Sequence, residues 1–192
     1  VLTALRTAEK RSLAVIASAA AVAQRTIDPE AFASQTHTLS SEDEVDLEQL
    51  LDRWRQMGYQ FEPTVYAPGF ASRRGGILDL YPVGSPEPAR IELWGNEIDT
   101  IRLFDPDTQR STDMVDSIEV GPARETLPAT MPRDQLHALV SPIDFTNCTD
   151  AARGRIEEEL GRLADGHDIE DLDLYAGLFN MGSLLDHFPR EG

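Results

Sequence analysis

Arg90-Ile91-Glu92-Leu93-Trp94-Gly95-Asn96-Glu97-Ile98-Asp99-Thr100-Ile101-Arg102-Leu103-Phe104 is the stretch on which the fold turns. Gly95-Asn96 separates two β-rich runs and supplies the residue types that tolerate the positive-φ positions of a tight primed hairpin turn. Antiparallel strands are therefore expected over residues 90–94 and 97–104. Outward from this hairpin, glycines and prolines punctuate short β segments all the way from Pro63 to Val120, with further strands expected over 64–66, 76–81 and 117–120.

Upstream of this β-rich region lies a helix signature. Ser41 followed by Glu44 has capping-box spacing, Leu47, Leu50, Leu51 and Trp54 form one apolar stripe, and Gly58 ends it. Packing that stripe on one side of an antiparallel sheet gives an α+β domain over residues 41–126. The other side of the helix carries Glu42, Asp43, Asp46, Glu48 and Asp52, which reads first as a solvated surface.

The flanks have a different rhythm. Residues 1–40 read as helix, strand (13–17), alanine-rich helix (19–24), a helix starting at Asp28-Pro29-Glu30 and a strand over 36–39, which suggests the tail of an α/β layer. Residues 127–192 form a helical return segment. The prolines at 122, 128, 132 and 142 argue against a continuous element between them, whereas residues 150–163 place Ile156, Leu160 and Leu163 on one helix face. The chain opens at Val1 without methionine or leader pattern and reads as excised from something longer.

Composition narrows the function. A net charge of −17, from 34 acidic against 17 basic residues, opposes a long-range grip on nucleic-acid phosphates. Sixteen of the basic residues are arginine, with Lys10 the lone lysine. Such usage follows from genome composition and also suits bidentate contact with carboxylates. The single Cys148 forms no internal disulfide, fits a reducing cytoplasm, and reads as a small packing residue.

The familiar catalytic patterns do not fit. No Gly-Lys pair exists to cradle and reach phosphates, and Arg73-Arg74-Gly75-Gly76 leads into a strand instead of a helix. The four histidines are dispersed, so no zinc site is expected; with 34 acidic residues, carboxylate pairs arise by chance and carry no weight as general acid and base, and no site residue is assigned to catalysis, metal or cofactor binding.

One constellation is specific. Gly69-Phe70-Ala71-Ser72-Arg73-Arg74-Gly75-Gly76-Ile77-Leu78-Asp79-Leu80-Tyr81-Pro82, followed by the hairpin quoted above, resembles the second domain of the nucleotide-excision-repair proteins UvrB and the transcription-repair coupling factors (Mfd). The Asp105-Pro106-Asp107-Thr108-Gln109-Arg110-Ser111 turn, Gly121-Pro122-Ala123-Arg124-Glu125, and Leu184-Leu185-Asp186-His187-Phe188-Pro189 resemble the coupling-factor form. The flanks would then be pieces of an incomplete ATPase-like, UvrB-like module.

That resemblance implies a bacterial cytoplasmic protein whose second domain docks the damage sensor UvrA in transcription-coupled repair. The parent family uses ATP and magnesium as a DNA-dependent translocase, and engages RNA polymerase and double-stranded DNA through other domains. Carried over to this sequence, Arg74 and Tyr81 are the expected UvrA contacts, with Arg73 an added charge and Gln60 standing where many relatives have arginine. Gly75 and Gly76 are assigned to a turn, and Arg90 with Glu92 to an ion pair inside the sheet. Two other readings compete: a part of UvrB acting in UvrA-dependent loading on damaged DNA, and a DNA-binding module relying on Arg73, Arg74, Arg90, Arg102 and Arg110.

Overall fold

The computed structural model describes residues 2–7, 14–165, 167, 169 and 171–188. The N-terminal part holds α1 (Leu2–Thr7), α2 (Ala19–Ala23), β1 (Arg25–Thr26), α3 (Pro29–Gln35) and β2 (His37–Ser40). The central body contains α4 (Leu47–Gln56), β3 (Gln60–Phe61), β4 (Phe70–Arg74), β5 (Ile77–Leu80), β6 (Ala89–Trp94), β7 (Glu97–Phe104), β8 (Ser111–Met114) and β9 (Ser117–Val120). The C-terminal part adds α5 (Arg133–Val140), α6 (Asp150–Ala164), α7 (Ala176–Phe179) and β10 (Gly182–Ser183).

The fold is α+β. Strands β3 to β8 form a six-stranded sheet in sequential order, with β3 and β4 parallel and every other neighbour antiparallel. Gly75 (φ +65°) and Gly95 (φ +64°) turn the two tight hairpins, a backbone region that side chains with a Cβ resist. Helix α4 covers one side. Its buried Leu50, Leu51 and Trp54 pack with Ala71, Leu78, Leu80, Ile91, Ile98 and Ile101 in one apolar cluster. Gly58 closes the helix at φ +88°, where a Cβ would come within 2.8 Å of the Arg124 side chain.

Several local expectations are corrected. Helix α4 is capped by Asp46, whose carboxylate accepts from the Gln49 amide at 3.0 Å, and Ser41 and Glu44 lie outside it. The reason is competition from the hairpin: the Glu42, Val45 and Ile98 amides donate to Ile98, Asn96 and Asp43 carbonyls, which holds 42–45 against the start of β7. Residues 64–66 form no strand, although Val65 is buried, whereas β3, β4 and β8 fall outside the expected strands. Strand β9 pairs with β2, His37 opposite Val120, and stands outside the main sheet.

In the flanks, residues 14–17 form no strand and Ile16 is fully exposed; Leu13 lies outside the described residues. The 122–142 stretch is not wholly irregular, because Pro132 and Pro142 bracket α5 and leave its interior free of proline. Leu2, Ile27, Phe32 and Leu127 form a second cluster that Leu184 joins, and β1 pairs with β10, so chain on both sides of the central body meets in one core. A third cluster, around Leu160, Leu163, Ile169 and Leu172, belongs to the C-terminal helices. Cys148 is exposed and is not the small packing residue expected.

Candidate docking face of the sheet

Side chains alternate across a strand, so the residues not facing α4 build the opposite side of the sheet. The register sets them in rows. Ser72, Asp79, Arg90, Arg102 and Met114 lie directly opposite one another across five strands, and Arg74, Ile77, Glu92 and Thr100 form the next row. Trp94 and Glu97 follow at the hairpin tip.

The centre of this face is Asp79, whose side chain is only 2% exposed. A carboxylate so placed needs donors. Arg90 supplies two, Nε at 2.7 Å and Nη2 at 2.9 Å, and Arg74 a third through Nη2. The Arg90 guanidinium also lies 4.9 Å from the Phe104 ring centre. Its hydrogen bonds to Asp79 push its pKa further above the ordinary arginine value. The ion pair expected between Arg90 and Glu92 is therefore replaced by one between Arg90 and Asp79: the strand register aims Arg90 across to β5, while Glu92 sits one row away.

The four sequence-assigned contact residues separate by face. Arg74 is half exposed at its hairpin, free on one side of its bond to Asp79. Arg73 pairs across β4–β5 with Leu78, a core residue, and therefore turns to the α4 side, where Nη1 donates to Glu48 at 2.7 Å. Tyr81 is half-buried just past β5, its hydroxyl donating to the Pro86 carbonyl at 2.9 Å. Gln60 is exposed on the edge strand β3, opposite Phe70, whose ring packs on the exposed Tyr66 at 4.7 Å between centres.

Trp94, which is 83% exposed, carries no role in the sequence reading, and Arg90 and Arg102 enter it only through the Glu92 ion pair expected for Arg90 and the DNA-binding alternative. The usable signal was the alternation in 90–94 and 97–104, which puts Arg90, Glu92 and Trp94 on one side once Ile91 and Leu93 are assigned to the core. The arrangement offers cations and aromatic surface on one side of the six-stranded sheet. Clefts of about 480 and 460 Å³ lie elsewhere, and neither is lined by Arg74, Tyr81, Arg90 or Trp94. Among the described residues no group of His, Cys, Asp or Glu is arranged to hold a metal. No described helix is long and apolar enough to cross a membrane. Exposed aromatic rings and oriented arginines outside either cleft suit a protein partner better than a small molecule.

Comparison with known sequences places the chain in a family. The profile of the UvrB interaction domain matches residues 38–125, the span from β2 to just past β9. The transcription-repair-coupling factor of Bacillus subtilis is 32% identical over 187 residues, 91% of this chain and 16% of that protein. The Haemophilus influenzae factor is 28% identical over 170 residues, 88% of this chain and 14% of that protein. The Staphylococcus aureus factor (strain USA300) is 43% identical over 88 residues, covering 46% of the chain and 7% of that protein. The chain thus spans less than a fifth of the length of these relatives.

Proposed function

Because this chain belongs with the transcription-repair-coupling factors, as the segment built round their UvrB interaction domain, we propose that it docks UvrA through the face of the sheet opposite α4. Arg74, Trp94 and Tyr81 are the contacts, with Arg90 held in place by Asp79. The single observation that carries the reading is Trp94. A large aromatic side chain 83% exposed at the tip of a rigid hairpin, in the same face as two oriented arginines, has the composition of an interface anchor.

In this reading the chain is a recruitment module, and its own chemistry is recognition. Motor activity with ATP and magnesium, and engagement of RNA polymerase and double-stranded DNA, belong to the remainder of the parent protein, in the bacterial cytoplasm. Gln60 offers a neutral hydrogen bond where a cation would give a charge-assisted one, so its contribution to affinity is small. Arg73, already bonded to Glu48 on the other side, contributes little to docking.

Calorimetric titration with UvrA from the same organism tests the proposal. Micromolar or tighter binding by the unaltered chain, lost in an Arg74→Ala, Tyr81→Ala double variant that keeps its circular dichroism, is the expected result. A folded chain that does not bind UvrA would sink it. Steep weakening of binding to duplex DNA with salt would favour the nucleic-acid alternative instead.

A further inference from the structure

The turn between β7 and β8, Asp105-Pro106-Asp107-Thr108-Gln109-Arg110, has no part in the docking reading, yet it is tied down at every step. The Asp105 carboxylate accepts from the Asp107 amide at 3.1 Å and from the Thr108 amide and hydroxyl at 2.7 and 2.9 Å. The Gln109 amide returns to the Asp105 carbonyl at 2.8 Å. Gln109 itself sits at φ +61°, a region that a residue with a Cβ keeps only where its surroundings hold it there.

What holds it is its side chain. Nε2 donates to the Pro106 carbonyl at 2.7 Å and to the Val65 carbonyl, distant in sequence, at 3.0 Å. Carbonyls only accept, so the amide nitrogen must face both, and Oε1 is left buried without a donor. The strained backbone and the stranded acceptor are offset only by the two bonds from Nε2.

The Val65 end of this clamp lies in a segment that crosses the side of the sheet opposite α4. There the Pro63 carbonyl accepts from the Ser72 hydroxyl at 3.3 Å, and Ser72 stands in the row of Asp79 and Arg90. Ser72 and Gln109 thus pin the segment at two points. Next to Val65, Tyr66 is 60% exposed, with its ring against that of Phe70. A ring fixed before contact is bound without the cost of ordering it, whereas a loosened segment must be ordered at the moment of binding.

We propose that Gln109 is a positioning residue of the docking face: it holds the 63–66 segment on the sheet and so presents the Tyr66 ring to UvrA. This rests on the docking reading above and adds to it a further aromatic contact together with the residue that fixes it.

A double-variant cycle in UvrA affinity tests it. Tyr66→Ala should weaken Kd about tenfold, as loss of an aromatic anchor does. Gln109→Gly, which removes the amide and relieves the positive φ, should weaken it about fivefold through the ordering cost. The double variant should bind no more weakly than Tyr66→Ala alone, within about twofold, because Gln109 acts through that ring. A merely structural Gln109 would instead lower affinity by the same factor with or without Tyr66. Full affinity of either single variant, or losses that multiply in the double variant, overturns the positioning role and leaves docking intact. An unaltered chain that does not bind UvrA removes the docking reading and this one with it. Should Gln109→Gly not fold, Gln109→Asn, tolerant of positive φ but one methylene too short for both carbonyls, takes its place under the same criteria.

Discussion

On the α4 side of the sheet, Leu78, Leu80, Ile91 and Ile101 have no exposed surface, while one residue along each strand the chain places Asp79, Arg90 and Arg102. Both sets sit on the same backbone at the same register, yet their energetics differ in kind. The α4 side gains from removal of apolar area and tight packing, which are non-directional and tolerate no polar intrusion. The other side is held by a buried acid, its arginines and the buried Phe104 ring beneath Arg90, while Trp94 and Met114 are exposed there. Stability should therefore be concentrated on one face and recognition on the other.

The sharpest way to break that contrast is at its apolar end. Trp54 is fully buried, and its indole Nε1 donates to His37 Nε2 at 3.3 Å. Trp54→Ala removes the largest core side chain and should cost about 3–5 kcal/mol, enough to abolish cooperative unfolding in urea titration or shift its midpoint drastically. A near-neutral result would mean that α4 does not hold the sheet.

Next in size is Asp79→Ala, which tests whether the recognition face also carries stability. It strands Arg90 beside Phe104 without its counter-ion, and a loss of about 2 kcal/mol is expected because both arginines keep partial access to water. The same variant should weaken UvrA binding, since Arg74 and Arg90 lose their common anchor. Thermal unfolding that does not change would show the outer charge network to be ornamental to the fold.

Much of this contrast was legible in the residues. The Gly95-Asn96 turn, the strand over 97–104 and the apolar stripe of α4 follow from local chemistry, because turn type and side-chain period depend on near neighbours. The capping of α4 by Asp46 was hidden, since the competitor for Ser41–Glu44 is β7, more than fifty residues on. Strand β8 was equally hidden: all four of its residues are exposed, so no apolar pattern marks it. The facing of Arg73 away from Arg74 follows from strand parity once β4 is known, and β4 itself was missed because its sequence, Phe-Ala-Ser-Arg-Arg, lacks β-branched residues.

A subtler test acts through pH. Burial, and then the nearby Arg53, lower the His37 pKa to about 4 from 6.5. The folded state thus prefers neutral imidazole, which must keep Nε2 free to accept from Trp54. With the folded pKa below the unfolded one, the unfolded chain binds more protons between these values, so this contribution is complete above about pH 6.5 and is lost as pH falls toward 4. Partial exposure of His37 reduces its size to on the order of 1 kcal/mol. Urea midpoints from pH 7.5 to 4.5 should show a slope in the unaltered chain that His37→Gln flattens; equal slopes would detach the α4 face from this histidine.

The smallest effect on stability is expected where the effect on binding is largest. Trp94→Ala removes an indole that already lies in water, so unfolding should change by less than about 0.5 kcal/mol. If the ring is an anchor, its truncation weakens UvrA binding by about 2 kcal/mol, more than tenfold in Kd. A variant that melts normally and fails to bind places recognition on this face and separates it from the core behind it. One that melts early would mean that Trp94 packs against the hairpin and that the two faces share their load. One that melts and binds normally would leave the charge row without its aromatic neighbour, and would move the interface toward Tyr66, Phe70 and Tyr81 at the other end of the sheet.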